Sequence, residues 1–214
     1  GKLMKLSHSL LLKYRSIVWL FLICSTFAPS TALSASQEDE KAFLSEAELA
    51  QTLAPIALYP DTLLTHILIA ATYPIEVIEA ERWIKKQPTS TDEQRKSKAQ
   101  NKGWDASIQA LLAFPQVMAK LSDDLTWMKK LGDAFLQNEA SVLAAIQTLR
   151  QQAEQAGSLA TMNNVDVIKE QKIIIIESAQ PEIIYVPYYD SRLVYGQWYL
   201  ANYPPVYWHH PHHY

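Results

Sequence analysis

Cysteine is almost missing from this chain: the single one, Cys24, lies near the N-terminus, and the 190 residues after it hold none. That excludes disulfide staples and thiol nucleophiles from everything downstream. Glycine is scarce too, five in 214 residues. No Gly-rich phosphate loop and no Gly-x-Ser-x-Gly elbow occur, and His-Glu-x-x-His is absent as well. No acidic residue precedes Glu38, and the charge balance beyond that point is the reverse. Residues 1–35 carry four of the 19 Lys+Arg and none of the 22 Asp+Glu, which leaves 15 basic against 22 acidic residues, a net of −7. Such a chain lacks the basic face a nucleic-acid binder needs, and it lacks a polybasic patch for anionic lipid.

What is present at the N-terminus reads as a secretory signal. Lys2, Lys5, Lys13 and Arg15 form a positive region, and Ile17 to Cys24 is apolar. The small-residue zone Ser30-Thr31-Ala32-Leu33-Ser34-Ala35 places cleavage after Ala32 or Ala35. The apolar run is well short of the ~18 residues of a spanning helix, so no stable transmembrane segment is expected after cleavage. Ile23 is bulky where a lipobox at Cys24 would want a small residue. The expected location is outside the cytoplasm, periplasmic or extracellular.

Composition divides the remainder into a helical domain (36–162), a β element (163–190) and a Tyr/Pro/His-rich extended tail (191–214). From Ser45 to Gly157 the chain is rich in Ala, Leu and Gln, good helix formers. Ser45-Glu46-Ala47-Glu48 has the form of a capping box. Asp61 is expected to cap a helix from Thr62, and Pro74 suits a first helical turn. Polar residues Ser90 to Glu93 open a further helix that Gly103 stops, and Asp105 caps the next. Ser122-Asp123-Asp124 puts acids at the positive end of a helix to Gln137. Ser141 is expected to open the longest helix, with Val142, Ile146, Leu149 and Ala153 on one face. Tyr59-Pro60, Tyr73-Pro74 and Phe114-Pro115 each set an aromatic at a helix break, because the residue before proline leaves the α region.

Beyond residue 163 the pattern becomes β-branched. Val165–Lys169, Lys172–Glu177 and Glu182–Pro187 are expected as strands, with Ile173-Ile174-Ile175-Ile176 apolar enough to predict a central strand covered on both faces. Eight of the 11 tyrosines and two of the six tryptophans follow Glu182. With Pro204, Pro205 and Pro211 blocking regular structure, the segment from Tyr195 is expected to be dispensable for folding. The fold class is therefore mainly α (α+β), a compact bundle of short helices with a small C-terminal antiparallel β element.

An ordered string of motifs resembles a known family. Its parts are Leu53-Ala54-Pro55-Ile56-Ala57-Leu58-Tyr59-Pro60-Asp61, Ala71-Thr72-Tyr73-Pro74-Ile75-Glu76-Val77-Ile78-Glu79-Ala80 and Trp104-Asp105-Ala106-Ser107. Phe114-Pro115, Leu121-Ser122-Asp123-Asp124 and Ile176-Glu177 through Pro181 to Tyr185-Val186-Pro187 complete it. Together, across roughly residues 45–200, they are similar to the bacterial exported family called domain of unknown function 3300. The resemblance implies export and supplies no reaction.

Candidate chemistry is sparse. Glu76, Glu79 and Arg82 share one flank of a helix at i, i+3 and i+6, with Asp61 at the start of the preceding one. Paired carboxylates of this kind are weak candidates for acid–base work on an envelope glycan; a helix cap and an ordinary Glu–Arg pair account for the same residues. His66 sits in an apolar helix and is expected to be a hydrogen-bonded core histidine. Asp123 and Asp124 beside Trp127 are expected to be helix-start acids next to a core tryptophan. The tail residues His209, His210, His212 and His213 could share a Cu²⁺, Ni²⁺ or Zn²⁺ ion weakly; no other cofactor is expected. The leading expectation is a non-enzymatic, envelope-associated interaction module whose partner is an envelope protein or a cell-wall component. Glycan cleavage and metal handling stand as the alternatives.

Overall fold

The computed structural model describes residues 43–180 and 182–209. The N-terminal segment read as a secretory signal lies outside the described residues. Among the described residues eight α-helices come first. Helix α1 (Glu46–Leu53) starts at a capping box in which the Ser45 side chain accepts from the Glu48 N–H and the Glu48 carboxylate accepts from the Ser45 N–H. Proline occupies the first position of α3 (Pro74–Lys85) and of α6 (Pro115–Asp123), where its missing N–H costs nothing. Thr91 and Gln94 form a second capping box on α4 (Asp92–Ala99). Asp105 caps α5 (Ala106–Leu111), and Asp124 caps α7 (Leu125–Gln137).

Two helix starts differ from the sequence reading. Helix α2 (Asp61–Ala70) begins one residue early, with Pro60 at the cap and no side-chain cap bond, because the Asp61 carboxylate is engaged elsewhere. Helix α8 (Glu139–Gln155) is capped by Asn138, whose side chain accepts from the Ser141 N–H. Ser141 is thus the recipient of the cap and already lies inside the helix.

Helix α2 packs on α5 and α7, α3 on α6, and α1 on α7 and α8. Leu53, Ile56, Leu63, Ile67, Ile108, Met118 and Leu149 are sealed from solvent at their centre. The α2–α3 corner presses so closely on α7 that a Cβ at Gly132 would stand 2.1 Å from the Ala71 carbonyl oxygen. Glycine is required there by space, since its φ is unremarkable. Among the described residues no single helix is long and apolar enough to cross a membrane.

Strands β1 (Val165–Glu170) and β2 (Ile173–Ser178) form an antiparallel hairpin, Lys169 opposite Ile174 and Val167 opposite Ile176. The expected third strand is not formed: an isolated bridge joins Gln180 and Ile183, and Pro187 can add no ladder donor. The isoleucine run is therefore not central. Ile174 and Ile176 are buried, whereas Ile173 is 54% exposed, so the strand has one wet face after all. On the edge away from β1, the Gln147 side chain of α8 donates to the Ile174 carbonyl and accepts from its N–H. A side-chain amide takes the place of a neighbouring strand.

Among the described residues the segment after Asp190 adds no helix or strand; it runs through turns at 191–195 and 201–202, and it is not peripheral. Tyr195, Ser191 and Trp208 are buried, and the Val206 N–H donates to the Gln51 carbonyl of α1. Trp208 meets Trp127 and Tyr59 edge to face at 5.1 and 6.3 Å. The expectation of a dispensable tail is thereby corrected, for a physical reason. Aromatics leave no periodic signature, yet each buries a large area.

Candidate functional site

The three candidate carboxylates are committed to three different partners. Asp61 Oδ1 pairs with Arg150 Nη2 at 2.6 Å. Glu76 Oε2 accepts from the Asp105 N–H at 2.7 Å, and Glu79 Oε2 from the Trp104 indole N–H at 3.4 Å. The two glutamates thus tie α3 to the turn that starts α5. Trp104 and Trp83 meet edge to face, with Lys102 Nζ 5.9 Å from each ring centre. Arg82 is exposed. Asp105 is held below the usual carboxylate range, chiefly by the Ser107 hydroxyl and N–H that donate to it. Trp127 is buried and its indole donates to the Thr52 carbonyl; Asp124 caps its helix.

Arg150 is the residue that sequence reasoning missed. Its guanidinium is 1% exposed. Nε donates to the Ala57 carbonyl at 2.8 Å, Nη2 to Tyr59 at 3.0 Å and Nη1 to Ile174 at 2.8 Å. One side chain thereby joins α8, the Pro55–Pro60 corner and β2. Its position carried a signal: Val142, Ile146 and Arg150 recur at intervals of four, which puts the arginine in the middle of the buried stripe.

The same corner is held from its other side by tyrosines. The Tyr189 and Tyr195 hydroxyls both donate to the Ala54 carbonyl, at 3.0 and 2.5 Å, and Tyr189 accepts from the Leu58 N–H. Burial pushes the hydroxyls of Tyr59, Tyr189 and Tyr195 above the ordinary tyrosine range. These anchors fix the segment 182–209 against the helices while other side chains of that segment stay out in solvent. Tyr188 is 65%, Leu193 72% and Tyr199 61% exposed.

Two clefts flank the strap formed by residues 182–190. One, of about 540 Å³, is lined on the domain side by Ser158, Met162, Asn163 and Asn164. The other, of about 640 Å³, is lined by His66, Glu93, Lys96, Phe114 and Gln116. They share Tyr185, Val186 and Tyr188. His66 therefore lines a cleft half-buried rather than sitting sealed in the core; burial lowers its pKa, against the charge of Asp105. Neither cleft is lined by Asp61, Glu76 or Glu79.

No group of three or more metal-ligating side chains occurs among the described residues. His209 is exposed and meets the Tyr207 ring at 6.2 Å; His210, His212 and His213 lie outside the described residues. The Arg192 guanidinium sits 3.9 Å from the centre of the Tyr207 ring and pairs with Asp190.

Comparison with known proteins gives two matches. A family described as protein of unknown function (DUF3300) matches residues 45–214. The uncharacterized protein YacH of Escherichia coli (strain K12) is 35% identical over 199 residues, which are 78% of this chain and 32% of that protein. The chain thus spans about a third of the relative's length. No solved structure matches.

Proposed function

The chain belongs to the DUF3300 family, and from that premise we propose that it acts as an exported, envelope-associated interaction module rather than as an enzyme. Export rests on the order of charge, apolar run and small residues in the first 35 positions. The interaction reading rests on one observation. Asp61, Glu76 and Glu79 are spent on internal bonds, while the anchored segment 182–209 holds Tyr188 and Leu193 in solvent beside the clefts. Rigidly mounted aromatic and aliphatic groups bind partners at small entropic cost, since little is left to order.

The test is site-directed photo-crosslinking in the native cell, with the reactive residue at Tyr188 or Leu193 and, as control, at exposed Glu139. Adducts to an envelope component from Tyr188 or Leu193 and none from the control are expected. A folded, exported protein that yields no adduct at either position would refute the reading. So would a turnover that disappears in a folded E76Q/E79Q variant.

A further inference from the structure

The strap has main-chain groups that the fold leaves unused. Ile183 N–H donates to Gln180 and Tyr185 N–H to the Ser178 hydroxyl, at 3.0 and 3.3 Å. Among the described residues, the N–H and C=O of Val186 and the C=O of Tyr185 make no hydrogen bond. Both residues are only partly exposed. Backbone donors and acceptors in such places are ordinarily paired, and in an extended segment the matching partner is another extended main chain.

The side chains around the strap narrow the choice. Clefts of about 540 and 640 Å³ adjoin it, large enough for apolar side chains at alternate positions of a second strand. Asp92 and Asp190 on the cleft walls are already paired with Arg95 and Arg192. Glu93 and Glu182 are exposed and form no ion pair among the described residues; Lys96 is the one lysine on the walls of these two clefts.

We infer that the strap around Val186 is a binding site for an extended polypeptide segment, which adds alongside it by main-chain hydrogen bonds, places apolar side chains in the flanking clefts and sets a basic residue against Glu93 and Glu182. This rests on the interaction-module reading and names the chemistry of the partner. The partner is recognised by backbone first and by charge second, so a range of sequences fits as long as the segment is extended, free of proline at the pairing positions and not acidic.

A positional-scanning library of fluorescent nonapeptides, read by polarisation on the purified chain without its N-terminal 35 residues, tests this. Selection for Lys or Arg at one or more positions, alternating with Val, Ile or Tyr, is expected. The E93K/E182K variant changes two exposed side chains, one of them in the first turn of α4, so its melting temperature should stay within a few degrees of the parent, and its preference should move to Asp or Glu by tenfold or more. N-methylation of the best peptide at the amides facing Val186 should weaken binding at least tenfold. The inference is overturned if no peptide binds at millimolar concentration, if N-methylated peptides bind as well, if the charge swap leaves the preference unchanged, or if neutral oligosaccharides bind and peptides do not. Crosslinking at Tyr188 separates the two levels. Adducts in the cell together with a negative library would sink the peptide inference and leave the interaction module standing.

Discussion

Replacing Arg150 by methionine, of similar length but uncharged, gives a destabilisation that can be worked from the bonds it removes. The guanidinium serves the carbonyls of Ala57, Tyr59 and Ile174. Ile174 keeps a donor in the Gln147 side chain, so two carbonyls are orphaned rather than three. A buried unsatisfied acceptor costs about 1–3 kcal/mol, which puts the loss at about 2–6 kcal/mol. Methionine also relieves the cost of keeping a charge out of water, so the lower half of that range, about 2–4 kcal/mol, is expected. Domains are stable by only about 5–15 kcal/mol, so the variant should fold but melt early. Urea denaturation of both proteins, with the slope checked for two-state behaviour, gives the difference. Asp61→Asn should cost about 1–3 kcal/mol, because it leaves the buried Arg150 guanidinium without its counter-charge, a loss moderated by water at the 44%-exposed Asp61 side. In the R150M background it should cost nothing further. Stability of R150M within about 0.5 kcal/mol of the parent, the range of surface substitutions, would refute the joining role of Arg150.

Gly132→Ala should destabilise by about 1–3 kcal/mol despite the better helix propensity of alanine, because the added methyl meets the Ala71 backbone at 2.1 Å; a gain in melting temperature would contradict the close contact. Stopping the chain after Asn202 removes buried Trp208 and the Val206–Gln51 bond, and thermal melting should show a loss of at least about 3 kcal/mol. The buried tyrosines predict the high-pH behaviour: above about pH 10 the unfolded chain releases tyrosine protons that the folded chain retains, so stability falls as pH rises. Tyr195→Phe should make that decline shallower in melts from pH 8 to 11, while costing about 1 kcal/mol at pH 7 for the lost bond to Ala54. Mass spectrometry of the protein from the extracytoplasmic fraction should find a new N-terminus between Leu33 and Gln37; an intact N-terminal segment there would contradict export by a cleaved signal.

Helix starts were largely legible, since a cap is decided within four residues: the Ser45–Glu48 box, Asp105 and Asp124 stand where local chemistry puts them. Asp61 was misread because its partner lies 89 positions away on α8, and a nearby helix start is what the sequence displays. The isoleucine run was overread for a similar reason. A glutamine on a helix closes the outer edge of β2, and no pattern within the strand announces that. Glu76 and Glu79 share a helix flank as their spacing required, but the spacing was silent on Asp105 and Trp104 as their partners. The burial of the aromatic C-terminal segment was out of reach of periodicity, because an extended strap with prolines repeats at neither 2 nor 3.6 residues.

The bonds from Tyr189 and Tyr195 to Ala54 join the first helical corner to residues 135 and 141 positions later. A ribosome delivers Ala54 first. At roughly 5–20 residues per second, about 7–28 seconds pass before Tyr195 follows, and Trp208 later still. During that interval the faces of Trp127 and Tyr59 that Trp208 will cover have no mate, and the corner carbonyl has no hydroxyl. Completion of this packing is therefore set by the arrival of Trp208. A chain interrupted anywhere before Trp208 leaves an incomplete, sticky surface exposed to whatever quality control meets it.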